Sequence, residues 1–321
     1  MSTIGHWFCK RQGLATGIAC TAGGIGGIVF SLIILSCAPV IGFGWTMRII
    51  GFISLGLCCI ACATLQTREE AGSKAEKLEQ PGLHACLRTA IDLRPIAHDR
   101  SYLATTVAVW LIEFAVFIPL TYISSAAIST GQGMSSEHAY RLLALLNVGS
   151  VPGRALPGYL ADRFGRFNVM ILTAFVCLVL ILCIWLPPTV LGTANEPAFT
   201  AFAVLFGFWS GAAISLTPVC IAQVSRVEEI GKRVGTTFSI SSVDALVGVP
   251  IGGAIVDANG GDYTGLVGFA AGCYVLALGR FVVARFIASL TRAKAIYQGI
   301  AINYIELIRN TYIESKIWRD I

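Results

Sequence analysis

The chain has 321 residues, of which 55% are hydrophobic and only 13% charged, with a formal net charge of +5. A soluble domain carries roughly 25% charged residues, so this composition excludes an ordinary water-soluble domain and reads as a polytopic membrane protein. The positive charge does not point to nucleic acid, because no basic run is interleaved with aromatic residues and the bases sit at the ends of apolar runs.

A helix that crosses a bilayer needs about 20 apolar residues. By that measure about eight stretches qualify: residues 13–33, 45–65, 102–124, 141–160, 169–186, 198–224, 237–256 and 266–288. Ahead of the first lie His6, Lys10 and Arg11 with no apolar core before them, so these residues do not read as a cleavable signal peptide. The first span carries Gly17, Gly23, Gly24, Gly26 and Gly27, and small residues let helix backbones approach closely. A nucleotide loop would need a preceding strand and an aqueous pocket, and neither is indicated. In the second span Cys59 and Cys62 form a CxxC with no second pair and no histidines beside it. They read as packing residues, like Cys20, Cys37, Cys58, Cys177, Cys183, Cys220 and Cys273 in other spans, and no metal or cofactor is expected.

Residues 67–101 are the long hydrophilic connection, and their mixed charges (Glu69, Glu70, Lys74, Glu76, Lys77, Glu79) suit a solvated linker. The chain then divides into residues 1–66 with two spans, the linker, a bundle over 102–288 and a tail over 289–321. The third span holds Glu113 and the fourth Arg154. The charged turn Asp162-Arg163-Phe164-Gly165-Arg166 joins the fourth span to the fifth. The seventh carries Asp244 with Gly248, Gly252 and Gly253. In the tail, Ile296, Ile300, Tyr304, Leu307 and Ile308 with interspersed bases fit either an amphipathic surface helix or an unstructured end.

Lys and Arg collect in alternate loops: Lys10 and Arg11, the 67–101 linker, Arg163 and Arg166, Arg226 with Lys232 and Arg233, and Arg285 onward. The other loops hold almost none. The asymmetry predicts that both termini and the linker are cytoplasmic.

The pattern Gly158-Tyr-Leu-Ala-Asp-Arg-Phe-Gly-Arg166, between the second and third of six spans that follow a long loop, resembles the C-terminal half of a major facilitator superfamily transporter. Three stretches are similar to fungal proteins of its monocarboxylate porter family. They are Gly5-His-Trp-Phe-Cys-Lys-Arg-Gln-Gly-Leu-Ala-Thr-Gly17, Trp110-Leu-Ile-Glu-Phe-Ala-Val-Phe-Ile-Pro-Leu-Thr-Tyr122, and residues 147–168. The first resembles the cytoplasmic approach to the fifth helix, and the others the seventh and eighth. The resemblance implies an all-α membrane fold in which this chain covers helices five to twelve, as an N-terminally truncated member. The function it implies is secondary active transport of small organic anions or metabolites by alternating access, such as a monocarboxylate, a vitamin or a fungal secondary metabolite. The rival reading is an inactive truncated fragment. The plasma membrane is the default location.

Arg154 is the candidate substrate-binding residue. At membrane depth it must face the protein interior and find an anion, and a guanidinium can hold a carboxylate with two hydrogen bonds. In animal monocarboxylate porters an arginine of the eighth helix has this role, with an aspartate one turn earlier; here Ser150 stands at that earlier position. Glu113 and Asp244 are candidates for proton coupling or an ion pair, since a carboxylate in apolar surroundings can bind and release protons near neutrality. A direct Glu113–Arg154 pair is one arrangement open to them. By the resemblance Asp162, Arg163 and Arg166 form a cytoplasmic gate, where charges meet helix ends. His6, His84, His98 and His138 lie outside the spans and are not grouped like metal ligands. An enzyme embedded in the membrane would need polar ligands clustered at one depth, and the spans offer only scattered Glu113, Arg154 and Asp244. The expected partners are a small anionic molecule and the bilayer.

Overall fold

The structure is a computed structural model and describes residues 4, 11–64, 99–129, 136–191 and 196–317. Among the described residues there is no strand. Apolar runs without water to solvate their backbone must satisfy every amide internally, and the helix does that within one segment. The helices are α1 (Gln12–Ile41), α2 (Phe43–Thr64), α3 (Arg100–Ser129), α4 (Ser136–Phe164), α5 (Arg166–Leu180), α6 (Leu186–Leu191), α7 (Glu196–Gln223), α8 (Ile230–Ala258) and α9 (Thr264–Ile317). Seven of the expected spans fall on one helix each, and 169–186 runs over α5, the turn after it and the start of α6.

Between α5 and α6 the chain stays helical through a wider turn, Ile181–Trp185, in which the Leu186 N–H reaches back to the Ile181 carbonyl. Two prolines follow directly, and the wider turn absorbs the hydrogen bond that the first of them cannot make. Seven rods are long and apolar enough to cross a membrane; α4 is outside that set because its exposed and interface faces carry polar residues, Asn147 and Arg154 among them. The backbone of the tail continues α9 as helix to Ile317. Most of the 67–101 linker and residues 5–10 lie outside the described residues.

Helices α3, α4, α5, α7, α8 and α9 form one bundle, with α1 laid along α4 and α2 packed on α1. Inside the bundle a row of rings, Trp185, Phe202, Phe206 and Tyr274, runs at centroid spacings of 5.3, 5.0 and 6.4 Å. Helix α4 meets α7 through glycines on both sides: a Cβ on Gly149 or Gly153 would overlap the backbone of Val204 or Phe208, and one on Gly207 or Gly211 that of Leu146 or Ser150. This small-residue spacing is what replaces hydrophobic driving force between helices in lipid. Helix α2 buries only Thr46 and turns Phe52, Leu55, Leu57 and Ile60 outward.

Candidate functional site

One face of α4 and one face of α1 make a seam that runs from the Asp162 end inward. Positions 147, 150, 154, 158 and 162 recur every three or four residues, so they share a single stripe of α4. At the outer end the Asp162 carboxylate accepts hydrogen bonds from the Gly13 and Leu14 N–H groups, at 2.9 and 3.0 Å. Those amides belong to the first turn of α1, where a helix has unpaired donors and partial positive charge. Next along the seam Gly13 and Gly158 are in backbone contact, and a Cβ on Gly17 would overlap the Arg154 carbonyl.

Arg154 sits deeper. Its Nη1 donates to the Cys20 carbonyl of α1 at 2.7 Å, and its Nε is buried without a partner among the described residues. The guanidinium occupies the space that a side chain at Gly23 would need, 2.5 Å from that Cβ position. Farther in, the Ser150 hydroxyl lies against Gly24 and the Asn147 amide against Gly27. The α1 glycines thus fit the polar stripe of α4, and the seam holds a cation that can still accept a further partner.

Arg163 stays with its own helix, stacking 4.7 Å over the Tyr159 ring. Arg166 points to the far end of α7, where Nη1 lies 3.4 Å from the Val219 carbonyl, and it remains within electrostatic reach of Asp162. Of the three charged turn residues, Asp162 alone is bonded to α1.

Glu113 and Asp244 both lie in the interior of the bundle, on the packed helices α3 and α8 and within electrostatic reach of each other. Glu113 is 6% exposed, and the Thr217 hydroxyl lies 3.0 Å from its Oε1. The same hydroxyl lies 3.0 Å from the Ala213 carbonyl. A hydroxyl has a single proton to give, so both contacts are fully satisfied when Glu113 supplies a proton of its own. Asp244 is 1% exposed, and among the described residues its carboxyl oxygens have no hydrogen-bond partner. Glu113 and the Trp110 indole are in its surroundings, and Tyr274 is within reach of Glu113. No ion pair joins Glu113 to Arg154: the first meets Thr217, the second the α1 backbone.

Sequence reasoning missed a cluster at the starts of α3 and α8. Arg233 bridges Asp99 Oδ2 at 2.8 Å and Glu229 Oε2 at 3.0 Å, and also donates to the Val224 carbonyl at 3.0 Å. Asp99 caps α3 through the Ser101 and Tyr102 N–H groups. The Asp-x-Ser start of an apolar run was the available signal. Among the described residues no group of side chains could hold a metal ion, and His138 lies 3.2 Å from Glu196. His6, His84 and His98 lie outside the described residues.

The model of the Major Facilitator Superfamily matches residues 1–194 and 148–298. The chain belongs to the major facilitator superfamily. It is a multi-pass membrane protein with an all-α fold. It is 38% identical over 258 residues to the MFS-type transporter opdF of Penicillium oxalicum, covering 80% of this chain and 56% of that one. It is 35% identical over 267 residues to a riboflavin transporter of Saccharomyces cerevisiae, with 80% and 50% covered. A fujikurins efflux protein of Gibberella fujikuroi is 31% identical over 270 residues, with 84% and 54% covered. The chain therefore spans about half the length of these relatives. Among solved structures it is similar in fold to the fucose:proton symporter of E. coli, with TM-score 0.53, 18% identity, and 75% and 54% of the chains covered.

Proposed function

We propose that this chain works in a secondary active transporter that carries a small organic anion or metabolite by alternating access. Two sets of helices, one containing α1 and α2 and the other α3 to α9, would rock about a site near the membrane midplane. The observation that carries the reading is the α1–α4 seam, where Arg154 holds a backbone carbonyl across the joint and keeps an unpartnered donor. Arg154 would bind a carboxylate of the substrate, Glu113 and Asp244 would take up and release protons, and Asp162 with Arg166 would close the cytoplasmic end. Relatives named for riboflavin transport and for fujikurins efflux support a metabolite cargo without choosing its direction. Loop charges support cytoplasmic termini, and a plasma-membrane carrier rather than an enzyme is the role we assign.

The test is uptake by vesicles carrying the chain, with lactate, pyruvate and riboflavin as probes. Arg154→Ala is expected to lower carboxylate uptake about 100-fold, as loss of a charge-assisted pair of roughly 3 kcal/mol implies. Arg154→Lys keeps the charge but not the two-pronged geometry, and should recover part of it. Equal carboxylate uptake by the parent and Arg154→Ala would refute the assignment.

A further inference from the structure

The two carboxyls are buried, Glu113 at 6% and Asp244 at 1% exposure, yet a proton-coupled carrier must exchange protons with them. Two matching stripes lead from the surface to the pair. On α3 the residues are Asp99 just before the helix, then Tyr102, Thr106, Trp110 and Glu113; on α8 they are Arg233, Thr237, Ser241 and Asp244. Steps of three and four residues keep each set on a single helix face.

The stripes face each other. The Tyr102 hydroxyl donates to the Arg233 carbonyl at 2.9 Å and lies 3.2 Å from Thr237 Oγ1, which in turn lies 3.3 Å from Thr106 Oγ1. All three side chains are at most 3% exposed. Beyond them Ser241 Oγ and both Asp244 oxygens are buried with no partner. Several hydroxyls of α3 and α8, such as Thr105 and Ser239, bond a carbonyl one turn back in their own helix. Ser241 does not, and a buried polar atom left unmet in an interface calls for water or a transferable proton.

We propose that Tyr102, Thr106, Thr237 and Ser241 form a proton path between the Asp99–Arg233 cluster at the membrane surface and the Glu113–Asp244 carboxyl pair. The proposal rests on the proton-coupling reading of that pair. Along α8, Thr237 to Ser241 is about 6 Å of rise and Ser241 to Asp244 about 4.5 Å. One water joined by two hydrogen bonds bridges about 5.6 Å, so each step takes a single water. In each transfer an oxygen accepts a proton on one side and gives its own on the other. The net change is one O–H bond broken at the entering acid and one formed on a carboxyl oxygen. Glu113 meets the Thr217 hydroxyl of α7 and lies within electrostatic reach of Asp244 on α8 and Tyr274 on α9, with Cys177 of α5 behind Tyr274. Arg154 is bonded to α1 instead.

The experiment follows carboxyl protonation by infrared difference spectroscopy after a pH jump on the reconstituted chain, without added substrate. The parent should show a protonated-carboxyl band that Glu113→Gln or Asp244→Asn removes. Thr237→Val, Ser241→Ala and Tyr102→Phe should keep the band and slow its appearance at least about tenfold, the effect of a barrier raised by one hydrogen-bond step. Thr237→Ser, which retains the hydroxyl, should restore the rate. If the band survives both carboxyl variants, the proton-coupling reading itself fails. If the band depends on the carboxyls but the hydroxyl variants leave its rate unchanged, the path alone is overturned. Should Thr237→Val not fold, Tyr102→Phe and Ser241→Ala decide the matter by the same criterion.

Discussion

Asp162→Asn is expected to loosen the outer end of the α1–α4 seam. The carboxylate accepts two hydrogen bonds, from Gly13 N–H and Leu14 N–H, at the positive end of α1. An amide keeps a single acceptor atom and turns an NH2 toward donors, so one charge-assisted bond is lost, about 1.5–3 kcal/mol. Loss of the charge beside the helix end removes about 0.3–1 kcal/mol more. Water reaches this half-buried end and returns part of that, leaving about 2 kcal/mol, or roughly a 30-fold shift toward separated helix ends. Spin labels on Arg11→Cys and Phe164→Cys, both exposed positions flanking the contact, read the change by pulsed dipolar spectroscopy. The variant should gain a longer-distance population that the parent lacks. Distance distributions that superimpose would refute the reasoning.

Two further predictions concern neighbouring contacts. Gly17→Val places a branched side chain where the Arg154 backbone already lies, and should cost about 1–3 kcal/mol through forced separation of the helices; a thermal midpoint in detergent equal to the parent's would count against the close contact. Asp99→Asn removes an anion from Arg233 while leaving an amide oxygen to accept the two α3 cap bonds, for a loss of up to about 1 kcal/mol in thermal stability. Because the Asp99 side chain is 32% exposed, the loss should shrink as salt is raised; a salt-independent loss would contradict the ion-pair account.

The membrane rods were legible because length and apolarity alone decide whether a segment can cross a bilayer. Helix α4, the most polar rod, was legible as a helix although it is outside the seven that are apolar enough to cross. The glycines of α1 were legible as packing residues, but their partner helix was not: Gly13 meets Gly158 and Gly24 meets Ser150, and nothing in local sequence states which helix lies opposite. Asp162 was legible as a group at a helix end, and that it caps α1 required the fold. Tyr102 and Thr237 were silent for a different reason. A hydroxyl that bonds its own helix and one that bonds a residue 135 positions away look identical in a hydropathy pattern. The pairing of Glu113 with Asp244 rather than Arg154 was likewise a matter of azimuth on three helices, which span boundaries accurate to a few residues do not define. In the tail the sequence left a surface helix and an unstructured end both open, and the backbone of α9 stays helical to Ile317.

The glycine contacts between α1 and α4 also set how this joint can move. Side chains are compliant spacers that turn about their bonds and let two helices slide by fractions of an ångström. Where Gly13 rests on Gly158, and Gly17 on the Arg154 backbone, no such spacer exists. The surfaces are rigid corrugations with a repeat of one helical turn, about 5.4 Å. They mate fully in one register, and between registers they collide. The joint therefore has the geometry of a detent, seated in one register and released between registers.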